Sequence, residues 1–548
     1  MGFPSRYHAV ADNLLAPLNA APFTYTDGEV EDYLADVVAG ADDRGTLSLT
    51  LLRAIKDWPT HYHLGYNRSF LLRPLRHLLH GKSVLELGAG CGALTRYLGE
   101  TAARVVALEG SPKRAAIAAS RCRDLPTVTV VNDTIQSLEL DQTFDVVTLI
   151  GVLEYARSFG PETEKPEAAL LAIARSFLKP EGHLLLAIEN QLGLKYFAGS
   201  AEDHTGLPFF GIHDLYTPKT PVTFGRMELL SLLEAAGFAS IEQLIPLPDY
   251  KFPVTVLYPA SLDEENPALD ITPFIQNSYR ADCQSASEHC FSLEAATGPV
   301  VRNGLARDLC NSLFFVASPA RGTRACDPDW YVAHYGTMRA PEYAKETLFA
   351  KVNGGIRVQR RYLDAEARRD GAMAANILRD EPYLPYPLYQ DSLIPLINTP
   401  GWDARTIALW ARGWTDFLRD NATGGQLPGT FLDATPLNCM VTPGGDYIFF
   451  DLEWERREGK TIPLPYGIFR GLFQSLGWFE NVAPPADRTP TRTLVLIASV
   501  MARLGVPLEP EMMAECIRLE QELQAQVTLD RQPPDALNAQ SLTVRMLA

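Results

Sequence analysis

Apolar positions recur along the chain with two different periods. Between residues 27 and 57, Val30, Leu34, Val37 and Val38 fall at helical spacing. From Lys82 the texture changes to short apolar runs separated by amphipathic stretches. SVLEL, VVALE, VTVVND, FDVVTLIG and HLLLAIEN read as five strands. A helix starting near Gly92 shows Leu94, Tyr97 and Leu98 on one face, and further helices are expected over 112–123 and 167–178. This alternation predicts a parallel sheet covered on both faces. A helix over 226–236, ended by Gly237, precedes strand-like SIEQLIPL and PVTVLYP. Residues 261–300 are polar and irregular in pattern, and NSLFFVASP at 311–319 reads as a last buried strand.

The pattern differs from about Asp327. WYVAHYGT, ETLFAKV and IRVQRRYL read as strands, the last two joined through Asn353-Gly354-Gly355, a hairpin signal. Helices are expected at about 364–378 and 403–419, then two short strands around Gly444-Gly445, then a helical tail to about 532. The domain reading is therefore a helical lead-in over 1–80, an α/β domain over 81–320 with an irregular insertion at about 261–300, and an α+β domain over 321–548.

Composition narrows the class. At 548 residues the chain is too long for one hydrophobic core. The formal charge of −17 disfavours a nucleic-acid partner. Eight scattered cysteines, with Cys283 and Cys290 too far apart for C-x2-C zinc spacing, point to reduced thiols. The first residues lack a secretory pattern, and no apolar run approaches the roughly 18 residues of a membrane helix. A cytoplasmic enzyme is expected.

The chemistry concentrates at the end of the first parallel strand, in Glu86-Leu87-Gly88-Ala89-Gly90-Cys91-Gly92. Glycines here let a cofactor approach the backbone at the carboxyl edge of the sheet. Gly88, Gly90 and Ala93 also satisfy the dinucleotide fingerprint G-x-G-x-x-[GA]. Glu86 separates the two ligands: a carboxylate at this lip repels a pyrophosphate but favours the cationic, phosphate-free S-adenosylmethionine (SAM). Glu109 ends the second strand, where an acid accepts from both ribose hydroxyls. Asp133 ends the third and is placed to accept from the adenine amino group, with Ile135 packing on the ring.

ELGAGCG, ALEGS, NDTIQSL, FDVVTLIGVLEY and LKPEGHLLLAIEN together resemble the class I SAM-dependent methyltransferase family over roughly 80–190. The resemblance implies a Rossmann-like, seven-stranded α/β domain. It implies that Glu86, Gly88, Ala89, Gly90 and Gly92 hold the methionine moiety, and that Glu109 with Gly110 takes the ribose. Asp133 with Thr134 or Ile135 would take the adenine, and Gly151 and Val152 would lie beside the sulfonium.

Transfer to a hydroxyl needs a base or in-line positioning. His204 and His213 are the candidates, with Glu154 third. Tyr155 and Tyr196 are read as packing groups, and no Asn-Pro-Pro-aromatic amine-methylating signature follows strand four. ENQLGLKYFAG through DHTG, then TFGR and PDYKFP, resembles methyltransferases of bacterial surface-polysaccharide synthesis. That resemblance implies transfer to a hydroxyl or phosphate of a glycan or related small molecule, with polysaccharide-assembly enzymes as partners.

In the second half, Asp433, then Asn438, then Asp451 after a Gly-Gly turn resembles the catalytic and metal-binding loops of kinase-like folds. The resemblance implies Asp433 as base, Asn438 and Asp451 as metal ligands, and Mg-ATP as cofactor. Lys351 or Arg360 would bind phosphate, and Glu366 would be the helix partner. The pattern departs from the family in lacking a glycine-rich loop and in having Phe431-Leu432 before the Asp. A bifunctional kinase-methyltransferase and a non-catalytic SAM-binding scaffold are the alternatives.

Overall fold

The computed structural model describes residues 3–19, 23, 28–161, 163–263, 269–285, 288–336, 339–367, 369, 371–456, 460–528 and 539–545. The chain divides into two compact units. The first comprises 1–197, 201–263 and 305–333; the second comprises 198–200, 264–304 and 334–548.

The first unit is built on one sheet. Its strands are β1 (Tyr7–Ala11), β2 (Leu14–Pro17), β3 (Ser83–Leu87), β4 (Arg104–Glu109), β5 (Val128–Asn132), β6 (Phe144–Ile150), β7 (Leu178–Glu189), β8 (Ser240–Leu247), β9 (Thr255–Leu257) and β10 (Ser312–Ser318). The order is β1-β2-β5-β4-β3-β6-β7-β10-β8-β9. The run β5-β4-β3-β6-β7 is parallel, and β10 lies antiparallel between β7 and β8. Leu85, Val106, Val130, Val147 and Leu185 are fully buried, which explains why these strands read as continuous apolar runs. Burying each such side chain contributes about 1.5–3 kcal/mol.

Helices α1 (Glu29–Gly40), α2 (Ala93–Thr101), α3 (Pro112–Arg121), α4 (Pro166–Ser176) and α5 (Arg226–Ala235) belong to this unit. Leu34 and Val38 of α1 pack with Cys91 and Ile117, and Glu31 of α1 is ion-paired to Arg114 at 2.7 Å. The lead-in thus braces the glycine loop from outside. It is not wholly helical: β1 and β2 form a hairpin, and β2 pairs in parallel with β5 through Leu14 and Val130. Of β1 only Tyr7 is buried, so its sequence carries no strong apolar alternation.

Two segments of the second unit differ from the sequence expectation. The described residues of 364–378 include no helix: Ala374–Asn376 is a strand paired with Trp454–Arg456. Gln526 Oε1 accepts from the amides of Met373 and Ala374, so tertiary hydrogen bonds override the helix propensity of this Ala-rich stretch. Residues expected to be irregular carry helices Thr272–Ser278 and Leu293–Arg302, the latter capped by Ser292. The hairpin of Lys345–Val352 and Gly355–Tyr362 is as read, with Asn353 and Gly354 both at positive φ. Helix α6 (Ala404–Asp420) starts at an Asp403–Thr406 capping box. It packs Trp414 and Leu418 into a core shared with α7 (Leu464–Leu476), α8 (Thr493–Arg503) and α9 (Pro510–Val527).

Candidate active site

The glycine loop follows β3 and is pinned to its neighbour, since Gly88 and Ala89 donate to the Leu108 carbonyl at 3.0 and 2.8 Å. Two acids flank it. Glu86 is buried and accepts from the Thr95 hydroxyl at 2.6 Å. Burial pushes its carboxyl up to about 7, with Thr95 opposing and Glu109 reinforcing. Glu109 Oε2 accepts from the Gly90 amide at 2.7 Å and Oε1 from the Ser111 amide at 2.9 Å. Burial raises Glu109 too, against these two hydrogen bonds. Gly90 has φ 55°, and a Cβ there would meet no atom within 4 Å. This is a cradle in which a small ligand can lie on bare backbone. Two desolvated carboxylates beside it favour a ligand with net positive charge and oppose a phosphate. SAM fits this donor set.

The remaining cofactor candidates line the same carboxyl edge. Gly88 lies against Val152, and the turn at Gly92 lies against Ala118 of α3. Asn132 donates to the carbonyls of Glu109 and Gly110, both at 2.9 Å, and the Phe23 ring covers Gly110. Thr134 donates its hydroxyl to Ser137, and Ile135 is half-buried. Asp133 is placed differently from expectation. Its Oδ2 accepts from Arg6 at 2.7 Å and from the Tyr7 hydroxyl at 2.8 Å, and its Oδ1 accepts from the Thr134 amide. The β1–β2 hairpin, invisible in the apolar pattern, supplies these donors, so Asp133 is already engaged within the protein.

Past β6, Gly151 has φ 67°, and a Cβ there would stand 2.8 Å from the Tyr250 hydroxyl. Glu154 follows, fully inside the protein. Its neighbours are Glu189, at the end of β7, and His204. The His204 ring is oriented by Glu202, with Nδ1 2.8 Å from Glu202 Oε1, while Nε2 faces Glu154 Oε1 at 4.0 Å. Lys251 Nζ meets Glu189 Oε1 at 2.6 Å and Asp203 Oδ1 at 3.0 Å, and Tyr250 donates to Glu189 Oε1 at 3.1 Å. Tyr196 donates to Asp203. Lys195 stands 3.8 Å from both Asp203 and Asp249. Burial, with Glu189 adding to it, pushes Glu154 up to about 8. Burial alone would lower His204, but Glu189, Glu202 and Glu154 outweigh it and raise it to about 9. Lys195 and Lys251 overcome burial to hold Asp203 well below the carboxylate range.

Of the three catalytic candidates, His204 and Glu154 come together. His213 does not join them: it is exposed and its ring stacks on Phe209. Glu189, Glu202, Asp203, Asp249 and Lys251 join this cluster; they lie in the segments read as the acceptor side, but sequence reasoning assigns them no individual role. Glu189 was accessible to it, because the carboxyl end of a parallel strand is where α/β sites lie. Lys251 was not, because only the tertiary fold brings it there. A pocket beside Glu202 is lined by Gln191, Tyr196, Phe210, Tyr216 and Thr223.

In the second unit, Asp433 does not present a base. It is buried, pairs with Arg470 at 2.9 Å and accepts from the Trp454 amide at 3.1 Å. Arg470 also pairs with Glu520 at 2.8 Å. A carboxylate committed to this interior network has no acceptor face for a substrate proton. Asn438 donates to the Asp433 carbonyl at 3.2 Å. Asp451 is held by Lys345 at 3.0 Å and Arg360 at 2.8 Å. Lys345, not Lys351, is the buried lysine; Lys351 is exposed, and Glu366 is exposed and outside any helix. No helix among the described residues is long and apolar enough to cross a membrane.

Residues 85–184 match the family described as "Methyltransferase domain". A stretch of 116 residues is 28% identical to the mitochondrial ubiquinone biosynthesis O-methyltransferase of Schizosaccharomyces pombe, covering 20% of this chain and 39% of that protein. A stretch of 60 residues is 45% identical to ribosomal RNA small subunit methyltransferase A of Streptococcus pneumoniae, covering 11% of this chain and 21% of that protein. The chain thus spans less than half the length of these relatives. Among solved structures, the N-methyltransferase NodS of Bradyrhizobium japonicum with S-adenosyl-L-homocysteine is 18% identical, covering 39% of this chain and 89% of that one with a TM-score of 0.25. A SAM-dependent methyltransferase of Mesorhizobium loti is 20% identical, covering 45% and 97% with a TM-score of 0.27. With the glycine loop and its flanking acids, the family match makes residues 85–184 a class I SAM-dependent methyltransferase domain.

Proposed function

We propose that the chain transfers a methyl group from SAM to a hydroxyl or phosphate of a polar acceptor, a glycan or related small molecule of surface-polysaccharide synthesis. The observation that carries the reading is the Gly90 cradle between two buried acids, at the sheet edge that also bears a polar cluster. SAM, when bound, supplies an electrophilic methyl on a sulfonium. Glu86 and the loop from Gly88 to Gly92 hold the methionine end, and Glu109 takes the ribose hydroxyls. Thr134 and Ile135 pack the adenine, and Asp133 supports them through its tie to Arg6 and Tyr7. Gly151 and Val152 border the sulfonium.

Glu154 and His204 stand at the acceptor side, with Glu202 fixing the ring so that Nε2 faces Glu154. They are the side chains placed to meet the acceptor's reacting oxygen. The glycan assignment itself rests on the resemblance of 188–260 to polysaccharide-associated methyltransferases. Phosphotransfer in the second unit is the poorer reading, because Asp433 faces inward.

The test is incubation of the full chain with methyl-labelled SAM and fractionated lysate. Label in a glycan or sugar-phosphate fraction, lost in Gly90→Leu, supports the proposal. Label in protein or RNA, or no SAM binding by calorimetry, overturns it.

A further inference from the structure

We propose that Glu154, Glu189 and His204 hold a divalent cation at the acceptor side of the methyltransferase domain. One ligand atom from each lies within 4.8 Å of the other two. Two carboxylate oxygens and an imidazole nitrogen form a mixed O/O/N set that suits manganese or zinc better than the all-oxygen preference of magnesium.

A second observation points to a ligand. Glu154 Oε2 and Glu189 Oε2 are both buried, each on a residue only 2% exposed, and neither has a hydrogen-bond partner. Buried carboxylate oxygens without partners are costly, and such orphans require an explanation. A cation between them satisfies both at once.

The outer contacts are those a metal site needs. Lys251 and Tyr250 both engage Glu189 Oε1, which leaves Oε2 as the free atom. Glu202 holds His204 Nδ1, which leaves Nε2 as the free nitrogen. This is the carboxylate–histidine arrangement that fixes the tautomer and aim of a metal-bound imidazole. Charge points the same way. Five acids, Glu154, Glu189, Glu202, Asp203 and Asp249, face two lysines, Lys195 and Lys251, and one histidine, His204, so acids are in excess even with Lys251 paired to Glu189. A doubly charged ion offsets that excess.

The place of the ion gives it a use. Glu154 lies two residues after Val152, and Glu189 ends the next strand of the sheet. An ion here binds an acceptor oxygen as a further ligand and orients it toward the cofactor edge. This consequence rests on the methyl-transfer reading; the cation site does not.

The experiment is calorimetric titration of the chelator-treated full chain with MnCl2, and with ZnCl2 in parallel, alongside a SAM titration. Electron paramagnetic resonance of the Mn2+ sample reports its protein-bound fraction. Saturable binding of one ion per chain is expected. It weakens at least 100-fold in Glu189→Gln and in His204→Gln, and about 10- to 100-fold in the outer variant Glu202→Gln. SAM binding in these variants stays within a few-fold of the parent, which also shows that they fold. Two results overturn the site: no saturable Mn2+ or Zn2+ binding at millimolar concentration by a chain that binds SAM, or one-ion binding unchanged in Glu189→Gln and His204→Gln. One-ion binding lost in those variants, in a parent chain that ignores SAM, supports the cation site and removes the methyl-transfer reading instead.

Discussion

Gly90 offers a way to separate cofactor space from fold stability. Its φ is 55°, and a Cβ there would meet nothing within 4 Å. In Gly90→Ala the only structural cost is therefore the left-handed backbone, about 1–2 kcal/mol, partly offset by about 0.4–1 kcal/mol from a less flexible unfolded chain. The net loss of about 1 kcal/mol lowers the melting temperature by a few degrees. Gly90→Leu adds a side chain to the same open space, so its stability follows Gly90→Ala. Its effect on SAM is different. The side chain and the cofactor compete for one volume, and overpacking costs about 1–3 kcal/mol, which raises Kd roughly 5- to 150-fold. Gly92→Ala is the contrasting control. A Cβ there would stand 2.9 Å from Ala118 Cα, a backbone atom that cannot yield cheaply. It should destabilise the fold more than Gly90→Ala does. Calorimetry with SAM and thermal melts of the three variants decide the matter. Unchanged SAM affinity in Gly90→Leu refutes the placement of the cofactor, and a melt of Gly90→Ala as poor as that of Gly92→Ala refutes the open cradle.

Glu109→Ala removes the acceptor for the Gly90 and Ser111 amides and, on the proposed reading, for the ribose. SAM binding should weaken by about 1–3 kcal/mol, and calorimetry showing no change would put the ribose elsewhere. Asp433→Ala leaves Arg470 with Glu520 as its one remaining carboxylate partner in the interior. Denaturant unfolding should show a loss of about 3 kcal/mol, the lower end for a broken buried pair; a loss under about 1 kcal/mol would mean that Asp433 turns outward after all. Burial, with Asp270 adding to it, pushes Asp391 up to about 7, above the ordinary carboxylate range. A raised acid stabilises the fold while protonated, and that contribution is lost as pH rises through about 7. Asp391→Asn should therefore raise the melting temperature more in mildly alkaline than in mildly acidic buffer, and an equal shift in both would sink the assignment.

The parts of the fold readable in sequence are those fixed by local rules. Five parallel strands stood out because their interiors, buried on both faces, are dominated by Val, Leu and Ile. The hairpin at Asn353-Gly354 stood out because left-handed backbone at consecutive positions selects those residues. The β1–β2 hairpin was illegible: four of the five residues of β1 are exposed, and β2 joins the sheet through β5, more than a hundred residues on. Ala374–Asn376 misled for a related reason, since its helix propensity is overruled by a strand and a glutamine from distant segments.

The two sides of the site differ in legibility for a physical reason. A cofactor held against backbone needs glycines at fixed spacing after one strand, and such a motif is contiguous. An acceptor side built from side chains has no such constraint. Glu154, Glu189, the Glu202–His204 loop and Lys251 come from four separate segments, and although His204 and Glu154 stand out as candidates, nothing local in sequence shows that the four meet. Asp433 shows the converse. Its local spacing to Asn438 and Asp451 reads as catalysis, yet Arg470 arrives from α7 and turns its carboxylate into a structural ion pair. Spacing fixes which residues share a loop; the direction a carboxylate faces is set by the cation that the rest of the chain delivers. The same rule explains why Glu189 is informative: Lys251 reaches only one of its oxygens, and the other stays buried without a partner beside Glu154.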